Sequence, residues 1–202
     1  LGLSNLSCDY NKITNLRNGQ KLAENMKDKT KNNLTVVVYN FVDMLSHSKT
    51  EMEIIKELAS NDKGYRSLTL SWFKNSPLFD IIKKGQENGF KLIITTDHGT
   101  INVKNPSKII GDRNTSQNLR YKTGKSLTYN NKDVVSFENP SNISLPNISL
   151  NSSYVFAKEN TYLVYPKNYN YYANYFRDTY QHGGISLEEI IIPFVVLMPK
   201  AK

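Results

Sequence analysis

The 202-residue chain has one cysteine, Cys8, and three histidines. A single thiol closes no internal disulfide, so a disulfide scaffold is excluded and no oxidising compartment is implied. Cys8 reads as a small apolar packing residue. No stretch approaches the roughly 20 apolar residues of a membrane span, and the first residues lack the pattern of a secretory signal. No Lys/Arg block is long enough to serve as a nucleic-acid arm. Acidic residues are the minority charge: 26 Lys and Arg against 18 Asp and Glu give a formal +8. That excess favours anionic partners such as phosphates, nucleotides or nucleic acid, or describes a lysine-rich solvated surface. The Asn-x-Ser/Thr tripeptides beginning at Asn114, Asn142, Asn147 and Asn151 fall in an Asn-rich chain, and chance accounts for them.

What is present points to an α/β domain. Residues 1–33 are polar and lysine-rich, with a short helix predicted over Lys21–Lys29 that places Leu22 and Met26 on one face. Leu34–Tyr39 is a β-branched run that predicts a buried strand. Met52, Ile55 and Leu58 recur at helical spacing, which predicts a helix over Lys49–Asn61. A second helix is predicted over Tyr65–Lys74. A third is capped by Ser76 with Pro77 at its first position and ended by Asn88-Gly89. Phe90–Thr96 predicts the next strand. Strand, helical crossover and strand suggest parallel strands, whose ligands gather beyond the carboxyl ends. Residues 99–160 read as loop-rich, with short strands. Tyr169–Tyr180 reads as a tyrosine-rich helix and Ile190–Leu197 as an edge strand interrupted by Pro193.

The histidines fall where such a sheet would put its chemistry. His47 closes Asp43-Met44-Leu45-Ser46-His47 after the first strand. His98 lies in Thr96-Asp97-His98-Gly99 after the second. His182 opens His182-Gly183-Gly184 before the last strand. Carboxylate and imidazole suit zinc or manganese, and glycines beside them permit close approach. Ser46 and Ser186 sit in no Gly-x-Ser-x-Gly elbow and are not nucleophile candidates. Arg113, Arg120 and Lys122 follow the Asp97-His98 loop and are candidate phosphate contacts, Arg120 and Lys122 ahead of Arg113. Seven tyrosines between Tyr162 and Tyr180, near Lys167 and Arg177, suit packing first and nucleobase stacking second. Glu188 and Glu189 are candidates for orienting His182.

These motifs, with Gly111-Asp112-Arg113-Asn114-Thr115-Ser116 and Asn118-Leu119-Arg120-Tyr121-Lys122 between them, resemble the PglZ branch of the alkaline phosphatase superfamily. Within it the likeness is closest to response regulators of Bacteroidetes. The resemblance runs from about Leu34 to Lys200. It implies an alkaline-phosphatase-like α/β fold, a mostly parallel sheet flanked by helices with a loop-rich insertion. Residues 1–33 would be a lead-in from an upstream part and 34–202 the C-terminal portion of the domain. It implies two zinc ions, with Asp43, His47 and His182 on one and Asp97 and His98 on the other. An aspartate and a Thr or Ser nucleophile, both expected upstream of Leu1, would complete the site. The implied activity is hydrolysis of phosphate esters, with linear or cyclic oligonucleotides as diester substrates. The implied setting is the cytoplasmic output domain of a two-component regulator of type IX secretion. Its partners would be its own receiver and helical domains, a sensor histidine kinase, and a secretion component or transcription factor. The alternative is a catalytically silent interaction module that keeps a structural zinc.

Overall fold

The computed structural model describes residues 6–45, 52–59, 61–149 and 151–199. Two compact units emerge: residues 1–95 with 193–202, and residues 96–192.

The first unit begins with strand β1 (Cys8–Ile13), helix α1 (Leu16–Glu24) and a 3-10 segment (Met26–Lys31). Asn15 starts α1 by accepting from the Asn18 N–H at 2.9 Å, which satisfies one of the donors a helix start leaves open. Strand β2 (Leu34–Tyr39) pairs with β1 in parallel, Cys8 opposite Leu34 and Ile13 opposite Tyr39. The segment read as a lead-in is thus woven into the same unit as β2. Leu22 and Met26 share a buried face as their spacing predicts, and Ile13, Ala23 and Ile81 complete that core. Cys8 differs from its expectation: it is exposed at the start of β1.

Residues 41–45 are helical and follow β2. Phe41 lies flat on Trp72 at 3.7 Å, and Tyr65 Oη donates to the Val42 carbonyl at 3.2 Å. These contacts fix the backbone just before Asp43, which is half-buried. Helices α2 (Glu53–Leu58), α3 (Asp62–Lys74) and α4 (Pro77–Glu87) follow. Pro77 occupies the first turn of α4 as predicted, but Ser76 does not cap it: its hydroxyl donates back to the Phe73 carbonyl at 2.9 Å. Gly89 ends the segment at φ +84°, a conformation costly for residues with a Cβ. Strand β3 (Leu92–Thr95) pairs antiparallel with the C-terminal strand Phe194–Leu197. Pro193, which lacks a ladder donor, directly precedes that strand. The apolar run from Ile190 is therefore not one interrupted strand.

The second unit contains strands β4 (Ile101–Asn102), β5 (Asn105–Ile110), β6 (Tyr121–Gly124), β7 (Thr128–Tyr129), β8 (Val134–Phe137), β9 (Ser153–Ala157) and β10 (Thr161–Val164). Helix α5 (Tyr169–Tyr175), β11 (Tyr180–Gln181) and the short α6 (Leu187–Ile190) complete it. The stretch read as loop-rich is in fact a β-rich body. Its sheets run β10-β5-β7, β6-β9-β8 and β11-β4.

The α/β character is as expected, but the mostly parallel sheet is not what forms. Among the described residues only β1–β2 and β5–β10 pair in parallel, and the other ladders are antiparallel. The helical crossover from β2 to β3 exists, yet the described partner of β2 is β1 and that of β3 is the C-terminal strand. No described helix is long and apolar enough to cross a membrane.

Candidate metal centre and its bracing

His98 and His182 come from loops more than eighty residues apart and meet within the second unit. Their rings lie parallel, 9° apart, with centroids at 3.8 Å, and a candidate ligand nitrogen of each lies within 4.8 Å of the other's. Both are half-buried. His98 Nδ1 lies 3.0 Å from the Gly99 carbonyl. A carbonyl only accepts, so Nδ1 carries a proton, and in the neutral ring Nε2 presents a lone pair, the arrangement in which an imidazole binds a metal. Asp97 Oδ1 lies 3.8 Å from that Nε2, on a carboxylate that is 87% exposed. Two imidazoles with nitrogens this close are donors suited to a borderline divalent ion such as zinc.

The glycines in these motifs have packing reasons. Gly99 donates its N–H to the Glu189 carbonyl at 2.8 Å, and a Cβ on Gly99 would stand 2.0 Å from the Glu188 carbonyl oxygen. Only a glycine lets the His98 loop lie against α6. Gly183 adopts φ +100°, where a side chain is strained, and a Cβ there would also meet Asn118 Nδ2 at 2.8 Å.

Beneath His182 lies an ion pair. Arg120 is 0% and Glu189 2% exposed. The guanidinium grips the carboxylate with two bonds, Nε to Oε1 at 3.0 Å and Nη2 to Oε2 at 2.9 Å. Its remaining reach goes to the carbonyls of Thr161 and Ala157. Glu189 also accepts from the N–H groups of Gly184, at 2.9 Å, and Ser186, at 3.1 Å. Burial acts to raise the Glu189 pKa, but Arg120 and the N–H donors outweigh it, and the carboxyl sits below its usual value. Asn118 completes the brace. It donates to the His182 carbonyl at 3.2 Å and accepts from the N–H groups of Arg120 and Tyr121. The turn carrying His182 is therefore held by a buried, hydrogen-bonded network.

This placement corrects three expectations. Arg120 is not a phosphate ligand on a surface, because its donors are spent inside on Glu189 and carbonyls. Lys122 is 1% exposed, with Nζ over the Tyr165 ring at 4.2 Å, so it too is turned inward. Glu188 is exposed, whereas its neighbour Glu189 is buried and bonds the Gly184 and Ser186 N–H groups of the turn after His182. Arg113 is exposed on its turn, where Asp112 accepts from the Asn114 N–H at 2.8 Å. Asp43 lies in the first unit, in the helical stretch after β2. His47 falls outside the described residues. Of the tyrosines, Tyr162 and Tyr180 are buried, whereas Tyr171 and Tyr172 are exposed on α5. Asn118 was legible only as part of a motif; nothing in its spacing announced its hold on His182.

Lys122 gives a testable consequence. Burial lowers its pKa from 10.5 to about 8, so folding at neutral pH keeps a charge in an apolar setting. That costs on the order of 3 kcal/mol, offset in part by the Tyr165 ring. Between those pKa values the unfolded chain binds more protons than the folded one, so stability rises with pH there. Lys122→Met is expected to raise the urea midpoint near neutral pH. Its advantage should shrink as pH rises from about 8 to about 10. An advantage that stays constant across that range would contradict this assignment.

The family model described as the BREX system PglZ alkaline phosphatase-like domain matches residues 2–197. The chain belongs to that PglZ family, an alkaline-phosphatase-like class that points to hydrolysis of phosphate esters and generally uses metal ions. No curated protein matches the chain.

Proposed function

We propose that this chain forms the metal-binding part of a zinc-dependent phosphoester hydrolase. The observation that carries the reading is the His98–His182 pair, stacked at 3.8 Å with Nε2 of His98 left open as an acceptor, in a chain that matches the PglZ family almost end to end. The proposed ligands are Asp43, His47 and His182 for one ion and Asp97 and His98 for a second. The first set rests on the order of the motifs. The proposed nucleophile, a Thr or Ser, lies upstream of Leu1.

Zinc supplies Lewis-acid chemistry, drawing charge from the phosphate oxygens. The chain's own residues do the rest. The Gly99 carbonyl holds the His98 tautomer, the Asn118 amide and the Arg120–Glu189 pair fix the turn of His182, and exposed Arg113 is the remaining candidate to meet a phosphate. The proposed substrates are phosphodiesters, linear or cyclic oligonucleotides among them. The proposed setting is the cytoplasmic output domain of a PorX-type response regulator controlling type IX secretion, with the receiver, kinase and secretion partners that this implies.

The test is hydrolysis of bis-(4-nitrophenyl) phosphate by this chain and by the natural full-length protein. The full-length protein is expected to release nitrophenol, to stop when stripped by a chelator and to recover with zinc. Zinc bound stoichiometrically with no hydrolysis would reject the enzyme reading in favour of a silent interaction module.

A further inference from the structure

Helix α5 carries more aromatic surface than its own packing uses. Tyr169 and Phe176 pack against the cluster of Ile101, Val103, Tyr162 and Val164, and Ala173 is buried with them on the same side of the helix. Tyr171 and Tyr172 lie off that side, 63% and 40% exposed. Their rings are nevertheless held. Tyr171 stacks on Tyr175 at 5.8 Å and 13°, and Tyr172 on Phe176 at 6.0 Å and 15°. Both partners are half-buried. An exposed ring fixed in this way loses little freedom when a flat ligand lands on its open face.

The surroundings say which ligand. The seven residues of α5 include no aliphatic side chain larger than alanine. A helix that docks in a protein groove lays down a continuous apolar face. The outer side of α5 instead offers phenol rings and the exposed amides of Asn170 and Asn174, which donate and accept. From Pro166 to Arg177 the chain holds Lys167 and Arg177 and no carboxylate before Asp178. Lys167 is exposed. Lys108 on β5 is exposed too, with Nζ 5.1 Å over the Tyr169 ring. Arg177 lies beside the Tyr162 hydroxyl and is partly committed there. Open aromatic faces, amides and cations suit a single strand of nucleic acid, whose unpaired bases stack and whose phosphates carry charge. A duplex keeps its base faces stacked inside and gains only the charge.

We propose that α5 is a platform for single-stranded nucleic acid, with bases stacked on Tyr171 and Tyr172 and phosphates met by Lys108 and Lys167. Strand β11 carries the chain from the end of α5 to His182. His182 is six residues after Phe176, a reach of at most about 20 Å. A strand on α5 therefore extends to the paired imidazoles within a few nucleotides. Delivery of a phosphodiester to that centre rests on the hydrolase reading above; binding of the strand does not.

Fluorescence anisotropy of the whole chain in metal-free buffer tests it, with a labelled oligothymidylate of about 12 nucleotides, an abasic strand of the same length and a duplex as separate probes. The oligothymidylate is expected to bind more tightly than either of the others and to weaken as salt rises. Tyr171→Ala with Tyr172→Ala should weaken it at least about fivefold and leave the abasic strand unchanged. Tyr171→Ala alone, at the more exposed position, should weaken it in the same direction. Lys108→Gln with Lys167→Gln should weaken both strands and flatten the salt dependence. These changes are at exposed positions, and an unaltered circular dichroism spectrum checks the fold. His182→Ala, which removes a proposed metal ligand, should leave binding intact, so the platform and the metal centre fail separately. Absence of single-strand binding, or binding indifferent to the tyrosine changes, overturns the proposal. So does an abasic strand that binds as tightly as the oligothymidylate. Self-association that the tyrosine changes abolish, with no single-strand binding, would assign the face to a second copy of the chain instead.

Discussion

Glu189→Ala is expected to destabilise the protein by about 3–5 kcal/mol, read as a fall in the urea midpoint. The size follows from what remains behind. Arg120, 0% exposed, would keep its charge with no carboxylate to meet it, and the N–H groups of Gly184 and Ser186 would lose their acceptor. Removing both charges together, as Arg120→Met with Glu189→Leu, should restore much of the loss, since the dominant cost is the orphaned charge rather than the missing attraction. The pH dependence has a definite sign. Glu189 has a depressed pKa in the folded protein. Its contribution is complete above the unfolded carboxyl value of about 4.3 and disappears as pH falls through the lower folded value. The gap between Glu189→Ala and the wild type should therefore be widest at neutral pH and narrow in acid. A destabilisation below about 1 kcal/mol would fit an exposed ion pair and would contradict the buried brace described above.

Helix α4 was legible because Pro77 and Gly89 restrict the backbone locally, whatever surrounds them. The Leu22 and Met26 face was legible because a helical period survives in any context. Strand partners were not, since pairing is decided by distant segments: Leu92–Thr95 reads the same whether its neighbour is parallel or antiparallel. The β-rich second unit was hidden because its strands are short and some, such as Thr161–Val164, are buried on both faces and show no alternation.

The site divides the same way. Histidines flanked by aspartate and glycine stood out because those residue types have few common alternatives at strand ends. Basic residues mislead. Arg113, Arg120 and Lys122 look alike in sequence, yet one is exposed and two are sealed inside. What separates them is a partner 69 residues away, Glu189, and the ring of Tyr165. Burial of a charge is a tertiary fact, and adjacent residues such as Glu188 and Glu189 part company simply by facing opposite ways.

The second large effect concerns the paired imidazoles. Loss of either His98 or His182 is expected to lower metal affinity by more than about 100-fold, beyond the range typical of changes that only reorient a ligand. Asn118→Ala, which frees the His182 carbonyl without removing a ligand, should fall within that milder range of about 10- to 100-fold. The rank order is informative because a purely structural role for the histidines would show in stability and not in metal affinity.

X-ray absorption at the zinc edge of the metal-loaded protein reads the ligands directly. The account predicts imidazole scattering from histidine in the wild type that weakens in His98→Ala and in His182→Ala. A spectrum without imidazole, or one that neither substitution changes, would contradict it.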